Sequence, residues 1–471
     1  MITVSKKDIF WSYLGQFFSI ASGLITLPLI LRMLSTEEIG MNYLMLTLGS
    51  LVSLFDFGFS PQFGRNITYV FSGARELKKE GIEKTPSNNE VDYGLLTQMI
   101  GTARFVYRRL SFVVLTVMLT LGTLYIHRVT EGFSNINNSF LIWIIFCIST
   151  FFNIYYSYYS SLLIGKGLIM ESKKAMVYSK LSYIFTTFLL LLLGLGLLGV
   201  TLANLIAPFI NRYLSYRFFF TKDLNEKITQ FLPEKSEILK LFKTIWHNSR
   251  KLGLVFVGSY AITRLSLFLA GLYLPLEKVA SYGLMMQLAG IIAGISSTLF
   301  YAYQPTLASL RVTNDNAKLI ILFAFSMNVF YTLFILGSFA LIFIGPWVLS
   351  VINSNAVLPA IHILAIYLLI TLLENNHSNF ATLIVTKNEI PFLKPALIAG
   401  GLIALGSYLT LEYTTWGILG LVLVQGLSQI LYNNWKWPLL VFREFNIRPC
   451  GFIRIGITQS RIKTISTIYG K

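Results

Sequence analysis

Six long runs contain no Asp, Glu, Lys or Arg, and they constrain this chain more than any other feature: residues 9–31, 132–165, 181–211, 279–310, 319–373 and 413–435. A helix needs roughly 20 apolar residues to cross the hydrocarbon of a bilayer, and several of these runs are longer. A soluble fold would have to hide them all behind too little polar surface, because 55% of the 471 residues are hydrophobic and only 13% are charged. The runs are rich in Leu, Ile and Phe and lack the roughly ten-residue alternation of a membrane strand, so the spans are predicted to be helices.

Splitting the runs at charged, Gly, Pro and Asn-containing loops predicts twelve spans, near residues 9–31, 40–62, 106–126, 139–164, 176–194, 199–220, 252–273, 279–302, 319–344, 360–385, 395–411 and 417–440. The net charge of +17 is not spread evenly over the segments between them. Even-numbered loops and the termini, counted with the adjoining span ends, hold 34 of the 38 basic residues, the odd-numbered loops only Arg32, Arg128 and Lys278. By the positive-inside rule both termini of this multi-pass protein are expected to face the cytoplasm. Basic charge placed this way sets topology and gives no reason to expect nucleic acid. The first run follows Lys6 and Lys7 as a secretory signal would, but its length reads as a retained helix.

Little material lies outside the membrane. The longest inner segments run from about 72 to 104 and from about 221 to 250, too short for a catalytic domain. Within 236–247, Ile238, Leu239, Leu241, Phe242, Ile245 and Trp246 recur at helical spacing beside Lys240 and Lys243. That pattern suits a helix on the inner membrane surface, or a solvated linker between two bundles.

An internal repeat is visible. LSTEEIGMNYLML from Leu34 and LPLEKVASYGLMM from Leu274 align at an offset of 240, matching Glu37 to Glu277, Leu44 to Leu284 and Met45 to Met285. SSLLIGK, ending at Lys166, pairs with ATLIVTK, ending at Lys387, at an offset of 221. The expected architecture is all-α, with about twelve transmembrane helices in two pseudo-symmetric six-helix bundles, 1–230 and 231–471, around a central cavity. Because six is even, the halves enter the membrane in the same sense, as in transporters with parallel repeats.

Ionisable groups at membrane depth are costly unless they face protein or water, which makes them the best functional pointers. Arg264 lies midway along span seven, Asp56 in span two, and Glu374 and His377 three residues apart in span ten. The planar guanidinium of Arg264 suits phosphate oxygens. Arg65, Arg104 and Arg108 lie at inner span ends, where a cationic entrance and ordinary anchoring are equally good readings. Asp56, Glu374 and His377 are candidate ion-coupling groups, and Tyr155 and Tyr159 candidates for stacking on sugar rings. An internal ion pair or helix-packing bond is the bland reading of each.

No enzyme constellation is present. The four histidines lack metal-ligand spacing, and Cys147 and Cys450 are too few for a disulfide or metal framework. GLGLLG at 194–199 fits a dinucleotide pattern but follows a leucine-rich span, not a strand, and so reads as an outer hairpin. No cofactor is expected.

Spans one and two, with Pro28 before LRMLSTEEIG and then SLFDFGFSPQFGRNITYVFSGA, resemble the Wzx-type polysaccharide-unit flippases, and the layout of the whole chain is similar. These belong to the multidrug/oligosaccharidyl-lipid/polysaccharide exporter (MOP) superfamily. The resemblance implies alternating access. It implies an undecaprenyl-diphosphate-linked oligosaccharide, an O-antigen or capsule repeat unit, carried to the periplasmic leaflet. It also implies an H+ or Na+ gradient coupled through Asp56 or Glu374, with a polymerase and chain-length regulator as partners. Arg264, Arg65, Arg104 and Arg108 are the cationic set available to the diphosphate. The alternatives are a multidrug exporter of the same superfamily, which should favour acidic cavity residues, and a membrane polymerase or acyltransferase, against which the short outer loops count.

Overall fold

The computed structural model describes residues 6–71, 73–77, 90–312, 315–385 and 391–468. Residues 72 and 78–89 of the expected inner segment, and Lys387 of the second repeat match, lie outside them. Every regular element among the described residues is a helix. Two compact units emerge, Met1–Tyr260 and Ala261–Lys471, so residues 231–260, expected with the second half, belong to the first.

Each predicted span falls on a helix or a broken run of helix. In the first unit these are α1 (Lys6–Met33), α2 (Thr36–Ser53) with α3 (Phe59–Phe71), α4 (Tyr93–Val117) with α5 (Thr123–Val129), α6 (Ser139–Tyr156) with α7 (Tyr158–Gly165), α8 (Ile169–Leu192) and α9 (Gly196–Phe219). After α9 come α10 (Lys222–Ile228) and the start of α11 (Lys235–Thr263). In the second unit α12 (Leu265–Tyr273) completes span seven. It is followed by α13 (Leu276–Val312), α14 (Asn316–Phe343), the short α15 (Gly345–Val351), α16 (Ile361–Val385), α17 (Leu393–Tyr413), α18 (Gly417–Ile430), α19 (Asn433–Glu444) and the tail helix α20 (Pro449–Ile468).

By length and apolarity alone, eight of these helical runs could cross a membrane, and a ninth if the pair bent by 47° between Thr263 and Leu265 is one span. The others are shorter or more polar. α16 carries Glu374 to Asn379, and α18 and α19 are separated near Tyr432. A span that is polar along one face needs a protein-lined or watered interior, so these exceptions mark where to look for a site.

Caps stitch the helix ends together. Ser35 and Glu38 form a reciprocal capping box at the start of α2 (Glu38 N to Ser35 Oγ 3.2 Å, Ser35 N to Glu38 Oε2 2.9 Å). The other carboxylate oxygen, Oε1, accepts from Leu197 N at 3.0 Å, so one side chain also satisfies the first turn of α9. Gly196, which opens α9, has φ +52°, and so has Gly417, which opens α18. These positions are 221 residues apart, and GLLG runs from the one as GILG runs from the other. The glycine-rich hairpin is thus a third match between the halves, at the same offset as the inner-end pair.

The amphipathic stretch 236–247 corrects one expectation. Leu241 and Ile245 are buried in the first unit's core with Phe59, Phe63 and Tyr107. Phe242 and Trp246 stack on Phe59 with ring centroids 6.1 and 5.7 Å away. Four of its six apolar residues thus pack on the unit's own core while Leu239 is exposed, so the stretch is not a solvated linker. Apolar periodicity alone cannot distinguish a helix that meets lipid from one that meets its own bundle.

Candidate functional site: a polar cavity in the second unit

The site begins with a broken helix. α11 ends at Thr263, α12 starts at Leu265, and Arg264 between them has a non-helical φ of −132°. At such a break backbone groups lose their helical partners, which is tolerated at membrane depth only beside protein or a wet cavity. Tyr282 Oη of α13 donates to Ser266 Oγ at 2.9 Å and fixes the first turn of α12. Arg264, exposed, lines a cavity of about 390 Å³ with Ser297, Tyr367, Thr371, Glu374 and Gln425.

Glu374 is placed by α16 and held by α18. Gln425 Nε2 donates to both carboxylate oxygens, at 2.9 and 3.1 Å, while Gln425 Oε1 is buried without a partner among the described residues. The same is true of the buried Ser297 Oγ. Next to the cavity, Asn375 Nδ2 donates to Thr371 O at 2.8 Å, and Tyr331 Oη to Asn376 Oδ1 at 2.6 Å. Among the described residues no ion pair within 4.0 Å joins Arg264 to Glu374. The cavity therefore offers a fixed cation, a separate carboxylate and unsatisfied polar atoms, which suits a charged, hydrated ligand.

Two expected coupling residues have other partners. His377 Nδ1 lies 2.7 Å from Asn434 Oδ1 of α19, and His377 does not line the cavity. Asp56 sits in the 3-10 turn between α2 and α3, where Phe57 and Gly58 take positive φ. Its Oδ2 accepts from Ser60 N at 3.1 Å, capping α3, and its Oδ1 from Tyr107 Oη at 2.6 Å. Both oxygens are thus used in holding the break together.

The remaining candidates lie in the first unit. Arg65, Arg104 and Arg108 are exposed, and the Arg104 guanidinium lies 5.7 Å from the Phe220 ring. Tyr155 is half-buried and stacks on Phe151 at 5.8 Å. Tyr159 is 4% exposed, packed on Tyr158 at 4.4 Å, and has no ring face open for a sugar. Arg264 and Glu374 are therefore the two sequence-derived candidates that the fold brings into one cavity. Sequence reasoning missed Gln425 and Gln429, whose spacing of four within an apolar run was the available signal, and Ser297, a small polar residue with no such signal.

No protein-family model matches the chain, and no curated protein matches it in sequence. Solved structures do. An inward-facing multidrug resistance MATE family transporter of the MOP superfamily matches with TM-score 0.64 at 15% identity, over 92% of this chain and 95% of its own. The lipid II flippase MurJ in an inward closed conformation matches with TM-score 0.61 at 13% identity, over 99% and 93%. The chain has the fold of MOP superfamily transporters. The MATE multidrug transporter DinF-BH is also similar, with TM-score 0.58, 14% identity, and 96% and 97% covered. At these identities the likeness extends to the fold and leaves the substrate to the chemistry of the cavity.

Proposed function

We propose that the chain is a flippase moving an undecaprenyl-diphosphate-linked oligosaccharide from the cytoplasmic to the periplasmic leaflet by alternating access, driven by an ion gradient. One observation carries this reading: Arg264 is an exposed cation at a helix break in a polar cavity, with no acidic partner within 4.0 Å among the described residues. A diphosphate-linked sugar cannot cross hydrocarbon unaided, and a guanidinium fork is the side chain best matched to its oxygens. In this reading Arg65, Arg104 and Arg108 attract the head group at the inner face, and Tyr155 is the ring available to a sugar. Glu374 is the coupling carboxylate, for a gradient of H+ or Na+. The protein acts in the bacterial inner membrane with both termini inside, supplying a polymerase and its chain-length regulator.

The reading is tested by deleting the gene in the native host, with complementation, and measuring surface polysaccharide together with the lipid-linked pool. Single repeat units should accumulate on the carrier inside while surface polymer disappears. If single units reach the periplasm but stay unpolymerised, the chain is a polymerase. If neither pool changes, the flippase reading falls. The multidrug reading draws on Glu374, which could hold an organic cation; lost drug tolerance with unchanged polysaccharide would favour it.

A further inference from the structure

The first unit has an ionisable group of its own at membrane depth. Lys180 lies inside predicted span five, nearly two turns beyond the basic pair Lys173 and Lys174, and in the middle of α8. Twelve residues separate it from the outer end of that helix at Leu192, about 18 Å, which in hydrocarbon about 30 Å thick leaves it about 12 Å from the inner boundary. Two contacts define the face it occupies. A Cβ at Gly15 of α1 would come within 2.8 Å of Met176 and 3.1 Å of Lys173, and further along Tyr183 turns to the hydroxyls of Thr26 and Thr187. α1 and α8 therefore run side by side in the same sense, and Lys180, one turn from Met176 and one from Tyr183, belongs to the stripe that faces α1.

On that stripe Lys180 is half-buried, and among the described residues no hydrogen bond, ion pair or aromatic ring meets its ammonium. Thr187 Oγ1, fully buried on the same stripe, has no hydrogen-bond partner there either. The unit's own spans have no counter-charge to spare. They contain a single carboxylate, Asp56, whose two oxygens are taken by Ser60 N and Tyr107 Oη. A cation at this depth is costly unless an anion or water meets it, and an ammonium is a compact point charge suited to phosphate oxygens. We propose that Lys180 is an anion contact of the first unit, at which a phosphate of the lipid-linked head group binds during its passage. The inference rests on the reading of the substrate as a diphosphate; it does not require that Arg264 be the other contact. Arg65, Arg104 and Arg108 would attract the head group at the inner face, and Lys180 would hold it at depth.

The test is binding of inorganic pyrophosphate to the purified full chain in phosphatidylcholine nanodiscs, with thermal melting of the ligand-free protein beside it. Lys180→Gln should weaken binding by about tenfold or more, both in the wild type and in Arg264→Ala where pyrophosphate still binds, while Lys180→Arg, which keeps the charge, should stay within about threefold of wild type. The ligand-free melting temperature of Lys180→Gln should hold or rise, because an unpaired charge is removed. Binding unchanged by Lys180→Gln in both backgrounds overturns the inference. So does a lower ligand-free melting temperature in Lys180→Gln, which would show that the amine is paired within the protein. Replacing part of the phosphatidylcholine by phosphatidylglycerol separates the two sources of phosphate. If that lipid raises the melting temperature of wild type and not of Lys180→Gln, while the two bind pyrophosphate alike, the occupant is a membrane lipid and the transport contact falls. Arg264→Ala binding like wild type counts against Arg264 alone and leaves Lys180 to its own comparison; a wild type that does not bind pyrophosphate removes the diphosphate reading and this inference together.

Discussion

Arg264 is distinguished by position as much as by charge. Placed mid-helix it would need an acid or a snorkelling path; placed at a break, it faces a polar space where a mobile anion can be its partner. Replacing it by Ala removes a charge-assisted contact of about 1.5–3 kcal/mol, so flipping should fall by about ten- to a hundredfold. Arg264→Lys keeps the charge without the fork and should fall between, as measured by export of a labelled lipid-linked sugar at equal protein level. Packing at single residues is equally demanding. A Cβ at Gly122, in the π turn between α4 and α5, would come within 2.7 Å of the fully buried Trp143. Gly122→Ala should lower thermal stability by about 1–3 kcal/mol, with no change in pyrophosphate affinity.

At the scale of the element, the breaks position the candidate site and were the least legible part of the sequence. Apolar runs between charged, Gly, Pro and Asn-containing loops announced where the helices lie, because hydrocarbon accepts little else, and eight of the helical runs, or nine with the bent pair, are long and apolar enough to cross a membrane. That span two would break at Asp56 and span seven at Arg264 depends on tertiary partners: Tyr107, fifty-one residues from Asp56, and Tyr282, which reaches Ser266 from the next helix. Gln425 is also fifty-one residues from Glu374. Local periodicity cannot see such pairs. The matching hairpins at Gly196 and Gly417 were legible in GLLG and GILG, but apolar sequence hides a short repeat until the shared φ reveals it. Asp56→Ala removes a helix cap and the Tyr107 partner, and should cost about 2–4 kcal/mol of stability. Asp56→Asn, which still caps, should recover part of that in a thermal melt; an undiminished melting temperature in Asp56→Ala would show that the break is held by other contacts.

At the scale of the whole molecule, the proposed flippase moves negative charge outward past the fixed cation of its cavity. Each net negative charge carried from a negative interior releases about 2.3 kcal/mol per 100 mV. Outward movement of a diphosphate head group in exchange for an entering cation carries net negative charge outward, so flipping in proteoliposomes should accelerate when a potassium diffusion potential makes the interior negative, at constant pH. Equal rates with and without the potential would mean that the translocated species is electrically neutral. The central claim, that the Arg264 cavity takes the diphosphate, is tested most directly by returning wild type, Arg264→Ala and Arg264→Lys to the deletion strain at matched protein levels and measuring surface polysaccharide. The account predicts normal polymer with wild type, little or none with Arg264→Ala and an intermediate amount with Arg264→Lys; unchanged polymer in both variants would contradict it.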